Sequence, residues 1–357
     1  MLRISKEICS FAERLMKISW PDRRQSHSRW YGAGTMLKTL TLADGSTRQI
    51  HLGGYTRQRY DKRDKDFSIR IPAGLSSPSA EVNLTSFCPP VCDQGSLGSC
   101  TANMFAGAVE YNEIRRLASG GKLATLTLNA LTNQRITRVS VEPDGLGGLK
   151  VVTLDANGAV VSPTPAPAPP PAPAGLERSS RLFSYHATRE IEHTVNEDSG
   201  ASIRDTIKAG AKFGVVDEKH WPYDVSKFAV KPPASCYAEG KKHVVTSYHA
   251  IADGDLATMK ATLAGGLPIC FGFTVYASFM SQAVAKTGIV PMPAPGEQVE
   301  GGHAVLMVGY SDARQAFLVR NSWGDKWGQK GYFWLPFAYV SDPDLASDFW
   351  VVVSAPI

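Results

Sequence analysis

A glutamine, a cysteine, a histidine and an asparagine, widely separated in the chain, are the residue types that could together carry out acyl transfer. Cys100 closes the stretch QGSLGSC, Gln94 to Cys100, where loop residues give way to helix formers. Cysteine attacks a carbonyl as its thiolate, so a catalytic cysteine needs a lowered pKa. Ser99 reads as an N-cap and Cys100 as the first helical residue, where unpaired amides and the positive end of the helix dipole favour a negative sulfur. Gly95 and Gly98 allow a tight return that brings the carboxamide of Gln94 beside the backbone N–H of Cys100, and two such donors make an oxyanion hole. A buried, inert core thiol is the plain alternative for such a cysteine.

His303 follows two glycines in EGGHAVLMVGYS and opens a strand whose alternation puts Val305 and Met307 on one face. Asn321, in FLVRNSWGDKWGQKGYFWLP, falls on the next hairpin strand, across the SDARQ turn. Its carboxamide oxygen is suited to accept one imidazole N–H and so fix the ring's tautomer and orientation. Trp323 is suited to lie over that bond and keep water away, whereas Trp327 and its glycines read as packing and turn chemistry.

The elements that must position these groups can be read from pattern. A helix is expected from Cys100 to about Leu117, stopped at Gly120-Gly121. EDSGASIRDTIKAGAKFGVV reads as a helix entered through Ser199-Gly200 with Ile203, Ile207 and Ala211 on one face, and Ala250 to Ala264 as another closed by Gly265-Gly266. LPICFGFTVY, HAVLMVGYS, AFLVRNSW and KGYFWLP read as strands. Helices early and antiparallel strands late make an α+β arrangement in two halves. Two hairpins are expected, TLTLADGSTRQIHL around Asp44-Gly45 and LKVVTLDANGAVV around Asn157-Gly158. SPTPAPAPPPAPAG, Ser162 to Gly175, reads as an extended polyproline tether. The first 24 residues, with charges at regular intervals, read as a short amphipathic helix stopped by Pro21 rather than a secretory signal.

The formal net charge of +5 over 357 residues calls for neither a nucleic acid nor an anionic membrane as partner. The charge is uneven: residues 1–70 hold 15 Lys/Arg against 7 Asp/Glu, a basic arm ahead of a mildly acidic body. With no run of about 18 apolar residues, no spanning helix is expected, and the compartment stays open. Six cysteines in so long a chain do not make a disulfide framework. Cys88 and Cys92 lie too far from histidines for a zinc site. They read, with Cys236 and Cys270, as reduced structural thiols, a bridge from either of the first pair to either of the second being the alternative.

Cysteine, histidine and asparagine in this order, with NSWG near the C-terminus, resemble the papain family of cysteine proteases, bacterial type. The resemblance covers roughly residues 81–120 and 180–357. It implies a papain-like fold of two lobes, a mainly helical N-terminal lobe and an antiparallel, barrel-like C-terminal sheet, with the active-site cleft between them. It also implies that Cys100 is the nucleophile, that His303 is the general acid/base paired with it, that Asn321 orients the imidazole and that Gln94 completes the oxyanion hole. EDSGAS resembles the family's glycine-containing segment, which puts Asp198, Ser199 and Gly200 beside the substrate backbone; Gly98, Ser99 and Trp323 complete the expected substrate-binding set. WPYD, Trp221 to Asp224, resembles a structural landmark. No metal or organic cofactor is called for, and the partners are protein or peptide substrates.

The departures are informative. Plant and lysosomal members bridge a cysteine three residues before the nucleophile to one in the glycine-containing segment, and those places here read Leu97 and Glu197. Thr101 stands where a tryptophan usually follows the nucleophile. Residues 1–80 fall outside the catalytic domain at 81–357, and a hairpin-bearing insert at 121–178 interrupts it. The basic GGYTRQRYDKRDKDF is suited to lie along the acidic body and cover the cleft, a self-inhibitory arm with cleavage somewhere in 60–80; an extension packed elsewhere is the alternative. The insert recruits a protein partner or is surface decoration. The expected activity is an endopeptidase, with an amidase, transpeptidase, exopeptidase or catalytically silent binding protein as alternatives.

Overall fold

The computed structural model describes residues 37–59, 61, 64, 79–118, 138–143, 149–154 and 178–354, the two short strands of the insert by their backbone alone. The N-terminal amphipathic helix and the polyproline tether lie outside these residues. Along the chain run β1 (Leu37–Thr41), β2 (Thr47–His51), β3 (Glu81–Asn83), α1 (Cys100–Ala118), β4 (Arg138–Pro143), β5 (Leu149–Leu154), α2 (Arg181–Glu192) and α3 (Ile203–Lys212). There follow α4 (Ala234–Gly240), β6 (Ser247–Ile251), α5 (Leu256–Ala264), β7 (Ile269–Tyr276), α6 (Gln282–Thr287), β8 (Val299–Ser311), β9 (Ala316–Arg320), β10 (Tyr332–Pro336), α7 (Phe337–Ser341) and β11 (Ala346–Ser354).

Seven strands form one antiparallel sheet in the order β10-β9-β8-β7-β11-β6, with β3 added along β8. Its path does not return to its first strand, so the barrel-like expectation gives way to an open sheet. The 13-residue β8 is its spine: Phe273 of β7 sits opposite His303, and Arg320 of β9 opposite Leu306. α1 is buried on almost every face, because it packs on β8 on one side and on α2 and α3 on the other. Ala102, Ala106, Ala108 and Gly107 keep it slim enough for that; a Cβ on Gly107 would come 2.9 Å from the Arg320 guanidinium. The core runs from Phe105 and Val109 of α1 through Ile203 and Ile207 of α3 to Phe271, Phe273 and Val305 of the sheet.

Several expected boundaries move. α3 is capped by Ser202, whose side chain accepts from the Asp205 N–H, not entered at Ser199. Ala250 and Ile251 end β6, and the helix starts only at Leu256 behind Asp255, whose carboxylate accepts from the Thr258 N–H. β5 pairs with the upstream β4, register Arg138↔Leu154 to Pro143↔Leu149, rather than across Asn157-Gly158, which lies outside the described residues. β6 and β11 were not expected as strands of this sheet. The Asp44-Gly45 hairpin forms as read, Leu37↔His51 to Thr41↔Thr47, with Gly45 at φ 86°. Its Leu40, Leu42, Ile50 and Leu52 are buried in the same core as the sheet and α1. All five described cysteines are free thiols. Among the described residues no helix is long and apolar enough to cross a membrane.

Candidate active site

The loop from Asp93 to Ser99 is built by bonds at both ends. Gly95, at φ 60°, donates its N–H to the Asp93 carboxylate 2.8 Å away, a turn that favours glycine. The Gln94 N–H donates to the Ser322 carbonyl at 2.9 Å, and Tyr223 donates its phenol to the Gln94 carbonyl at 2.8 Å while lying 2.5 Å from the Ser99 hydroxyl. The Ser99 carbonyl accepts from the Asn103 N–H, so Cys100 is the first residue of α1. The Ser99 hydroxyl is taken by Tyr223 and the Asn103 side chain, and thus does not cap the helix or face the cleft. Cys100 is fully buried, and the backbone N–H groups of Ala304 and Thr101 lie within hydrogen-bond reach of its sulfur. Burial nevertheless pushes its thiol up to about 12.

Ala304 follows His303, so the thiol and the imidazole belong to the same junction, where α1 packs on β8. His303 Nε2 lies 2.8 Å from Asn321 Oδ1. Because a carboxamide oxygen only accepts, the hydrogen sits on Nε2 and leaves Nδ1 as the basic nitrogen of the neutral ring. Nδ1 is buried with no hydrogen-bond partner. Trp323 stacks on the imidazole, centroids 4.9 Å apart, and Phe273 meets it edge-on at 5.9 Å. With 1% exposure Trp323 covers the ring. This apolar wrapping lowers His303 to about 4, and the Asn321 bond opposes it only in part. The pair is therefore thiol and neutral imidazole in this conformation.

Gln94 is joined to the same network. Its Oε1 accepts from the Ser322 hydroxyl at 2.6 Å, which leaves the NH2 as the outward donor group, one hydrogen going to the Leu97 carbonyl at 3.0 Å. Ser322 follows Asn321, whose Oδ1 also accepts the Ser322 N–H at 2.8 Å. His303, Asn321, Ser322 and Gln94 thus form one chain of contacts linking the sheet to the loop.

Residues 51–58 run through the cleft. A Cβ on Gly54 would fall 2.6 Å from the Gly98 carbonyl oxygen and 3.0 Å from the Cys100 sulfur. Gly53 donates to the Gly302 carbonyl at 3.0 Å, Ala201 donates to the Gly54 carbonyl at 3.0 Å, and Thr56 donates to the Ala201 carbonyl at 2.9 Å. The strap thus lies parallel to the glycine-containing segment, Tyr55 beside Ala201. Of the three residues expected to bind substrate there, Gly200 touches Gly53 and Gly54, but the backbone partner is Ala201. Ser199 turns to the Thr194 hydroxyl at 2.9 Å. Asp198 braces the loop: its carboxylate accepts the Gly98 N–H at 3.0 Å and the Tyr185 hydroxyl at 2.5 Å, with His51 of the strap 3.6 Å away. Tyr55 reaches Ser347 and Asp348, and Arg57 pairs with Asp253 at 3.6 Å.

Sequence reasoning did not single out Tyr185, Ser322, Ala201, Ser347 or Asp348, and it treated Tyr223 only as part of a landmark. A hydroxyl or a backbone amide carries no local sign of its use; only WPYD offered a signal.

The profile described as "Papain family cysteine protease" matches residues 194–342. A peptidase C1-like protein of Acanthamoeba polyphaga mimivirus is 50% identical over 329 residues, 85% of this chain and 88% of that protein. Among solved structures, Xylellain, a cysteine protease from Xylella fastidiosa, is 32% identical with a TM-score of 0.64, covering 88% of this chain and 97% of its own. Digestive procathepsin L2 from Tenebrio molitor larval midgut, 18% identical, shares the fold at a TM-score of 0.53 over 86% of this chain and 78% of its own.

Proposed function

The chain belongs to the papain family of cysteine proteases, and from that premise we propose that it is an endopeptidase working through an acyl-enzyme on Cys100, held inactive by its own residues 51–58. His303 Nδ1 takes the thiol proton as sulfur attacks the carbonyl carbon of the scissile bond. The carbonyl oxygen becomes an oxyanion held by the Cys100 N–H and the Gln94 NH2. The imidazolium then gives its proton to the leaving amine, and the C–N bond breaks to leave a thioester. Water, deprotonated by His303, cleaves the thioester to a carboxylic acid and restores the thiol. Asn321 holds the ring in the tautomer this requires.

The observation that carries the reading is the junction itself, with the Cys100 sulfur against the Ala304 N–H and His303 bonded to Asn321 beside it. Self-inhibition is supported by Gly54, which fills the space in front of that sulfur, and by the burial that keeps both groups neutral. On this reading residues 1–80 are an extension with its cut in 60–80, 81–357 the catalytic domain, and 121–178 an insert able to recruit a partner. The bacterial-type assignment rests on Leu97 and Glu197 and is supported by the Xylella protease, whereas the mimivirus relative is viral.

The test combines intact mass after an epoxysuccinyl thiol-protease inhibitor with digestion of an unfolded protein, using the full chain, Gly54→Ala and Cys100→Ala. Labelling and small peptide products are expected from Gly54→Ala, far less from the full chain, and none from Cys100→Ala. Release of single residues would make it an exopeptidase, and folded protein that neither labels nor cleaves would overturn the reading.

A further inference from the structure

The tract Ser162 to Gly175 has no part in the chemistry of the cleft. Seven of its fourteen residues are proline, PxxP occurs at Pro167/Pro170 and again at Pro170/Pro173, and no charged residue falls between Ala156 and Leu176. Such a segment favours the polyproline helix and so loses little conformational freedom on docking. It also lies against an apolar wall without stranding many N–H groups, since half of its residues have none. What it needs is a set of aromatic faces to sit on.

The helical side of the molecule offers them. The last turn of α2, the residue after α3 and the start of α4 enclose an open surface groove of about 440 Å³, lined by Glu190, Phe213, Lys231, Pro232, Ala234 and Tyr237. Tyr237 and Phe213 meet edge to face with centroids 5.7 Å apart, and both are half-buried, so each keeps part of its ring for the groove. The buried Phe183 ring backs Tyr237 from inside at 5.1 Å and holds its attitude. Polar groups stand at one edge. The Tyr237 phenol donates to one oxygen of the Glu190 carboxylate at 2.8 Å, and the Lys231 ammonium lies 4.0 Å from the other and 5.9 Å from the Tyr237 ring centre. The two charges cancel, which suits an uncharged occupant, and the ammonium has hydrogens to give to the carbonyls that a polyproline helix leaves unpaired.

The tract rejoins the fold close to this groove. Arg178, five residues beyond Pro173, is held by Glu110 at 2.8 Å, and its carbonyl accepts the Glu218 N–H at 2.6 Å. Five residues further on stands Phe183, the side chain that backs Tyr237. Five residues span at most about 18 Å, whereas fourteen residues of polyproline at about 3.1 Å each extend about 43 Å. The tract is therefore long enough to pass over the groove. Because tract and groove belong to one chain, a short connection presents one to the other at a concentration of about millimolar order, and even a shallow groove is filled.

We propose that the groove over Tyr237 and Phe213 is the docking site of the chain's own proline tract, Pro167 to Pro173, which ties the insert to α2 and α4 instead of leaving it on a free tether. This holds whether or not Cys100 is a nucleophile.

The experiment uses the full-length Cys100→Ala chain, which removes self-digestion, in two forms: one with its own tract and one with residues 162–175 replaced by a Gly/Ser segment of equal length. The probe is the fluorescein-labelled peptide SPTPAPAPPPAPAG, followed by anisotropy. It should bind the replaced form about tenfold or more tightly than the form whose own tract competes for the groove. Ala234 is exposed and lines the groove, so Ala234→Glu can block it without disturbing the packing of Tyr237 on Phe183. That substitution should weaken binding to the replaced form about tenfold or more, with an unchanged melting temperature. No binding to the replaced form, or binding that Ala234→Glu leaves intact, would overturn the groove assignment. Equal binding to both forms would mean a groove left open for a proline-rich partner, and would overturn the in-chain occupant. A dimer seen by sedimentation for the form with its own tract, and lost on replacement, would overturn it too, since the tract would then sit on a second copy.

Discussion

At the scale of single residues, the imidazole of His303 is fixed by one hydrogen bond and two aromatic faces, and the bond has no substitute. Asn321→Ala removes it and leaves a buried N–H unpaired, which costs about 1–3 kcal/mol and predicts roughly a tenfold to hundredfold lower kcat in the open enzyme. Ser322→Ala acts one step away. It frees the Gln94 carboxamide to turn its oxygen toward the developing oxyanion, so kcat should fall about a hundredfold, the low end of losing an oxyanion donor, with KM little changed. Equal loss in KM would assign Ser322 to binding instead. The proposed set of Cys100, His303, Asn321 and Gln94 could be picked from the sequence because nucleophilic chemistry leaves few residue types to choose from and each sits in a distinctive local stretch. Ser322, Tyr185 and Tyr223 were not, because serine and tyrosine are common and their roles come from partners tens to hundreds of residues away.

At the scale of elements, the strap closes because two glycines let backbone approach backbone. A methyl group at residue 54 meets the Gly98 carbonyl and the Cys100 sulfur first, and neither is the flexible end of a long side chain. Overpacking of this kind costs about 1–3 kcal/mol, so Gly54→Ala should lower the closed-to-open ratio roughly 5- to 150-fold. Alkylation of Cys100, followed by intact mass, should speed up accordingly. The pH profile should change with it. In the closed chain burial pushes the thiol up to about 12 and His303 down to about 4, so labelling between pH 5 and 8 should be slow and climb only as pH rises. In the opened variant water returns to the site, the penalty on charge falls, and the thiolate–imidazolium pair forms, so labelling should already be fast near pH 6. Identical profiles would mean that burial by the strap does not set the charge state. The strands β7 to β10 and helix α1 were readable because their apolar patterns are long and bounded by turn residues. β6 and the bulged β11 were not placed, because their pairing joins segments about a hundred residues apart and nothing local encodes it.

At the scale of the whole molecule, the arm that crosses the cleft is also part of the core. Leu40, Leu42, Ile50 and Leu52 are each less than a tenth exposed and pack with the sheet and α1. Burying each contributes about 1.5–3 kcal/mol, so a chain beginning near residue 75 should melt below the intact one and expose an apolar face. The basic composition of the arm was legible and suggested attraction to an acidic body; its aliphatic anchors lay in a hairpin that could be recognised but not docked. One further consequence follows from the covalent link between strap and cleft. While they are one chain, the strap faces the cleft at a fixed local concentration, of millimolar order for short flexible connections, so dilution cannot release it. A single cut in 60–80 turns the same contacts into a bimolecular equilibrium. Activity per molecule of the cut protein should then climb as it is diluted and fall when it is concentrated, whereas the uncut chain should show no such dependence. One peptide bond would thus decide whether this enzyme senses its own abundance.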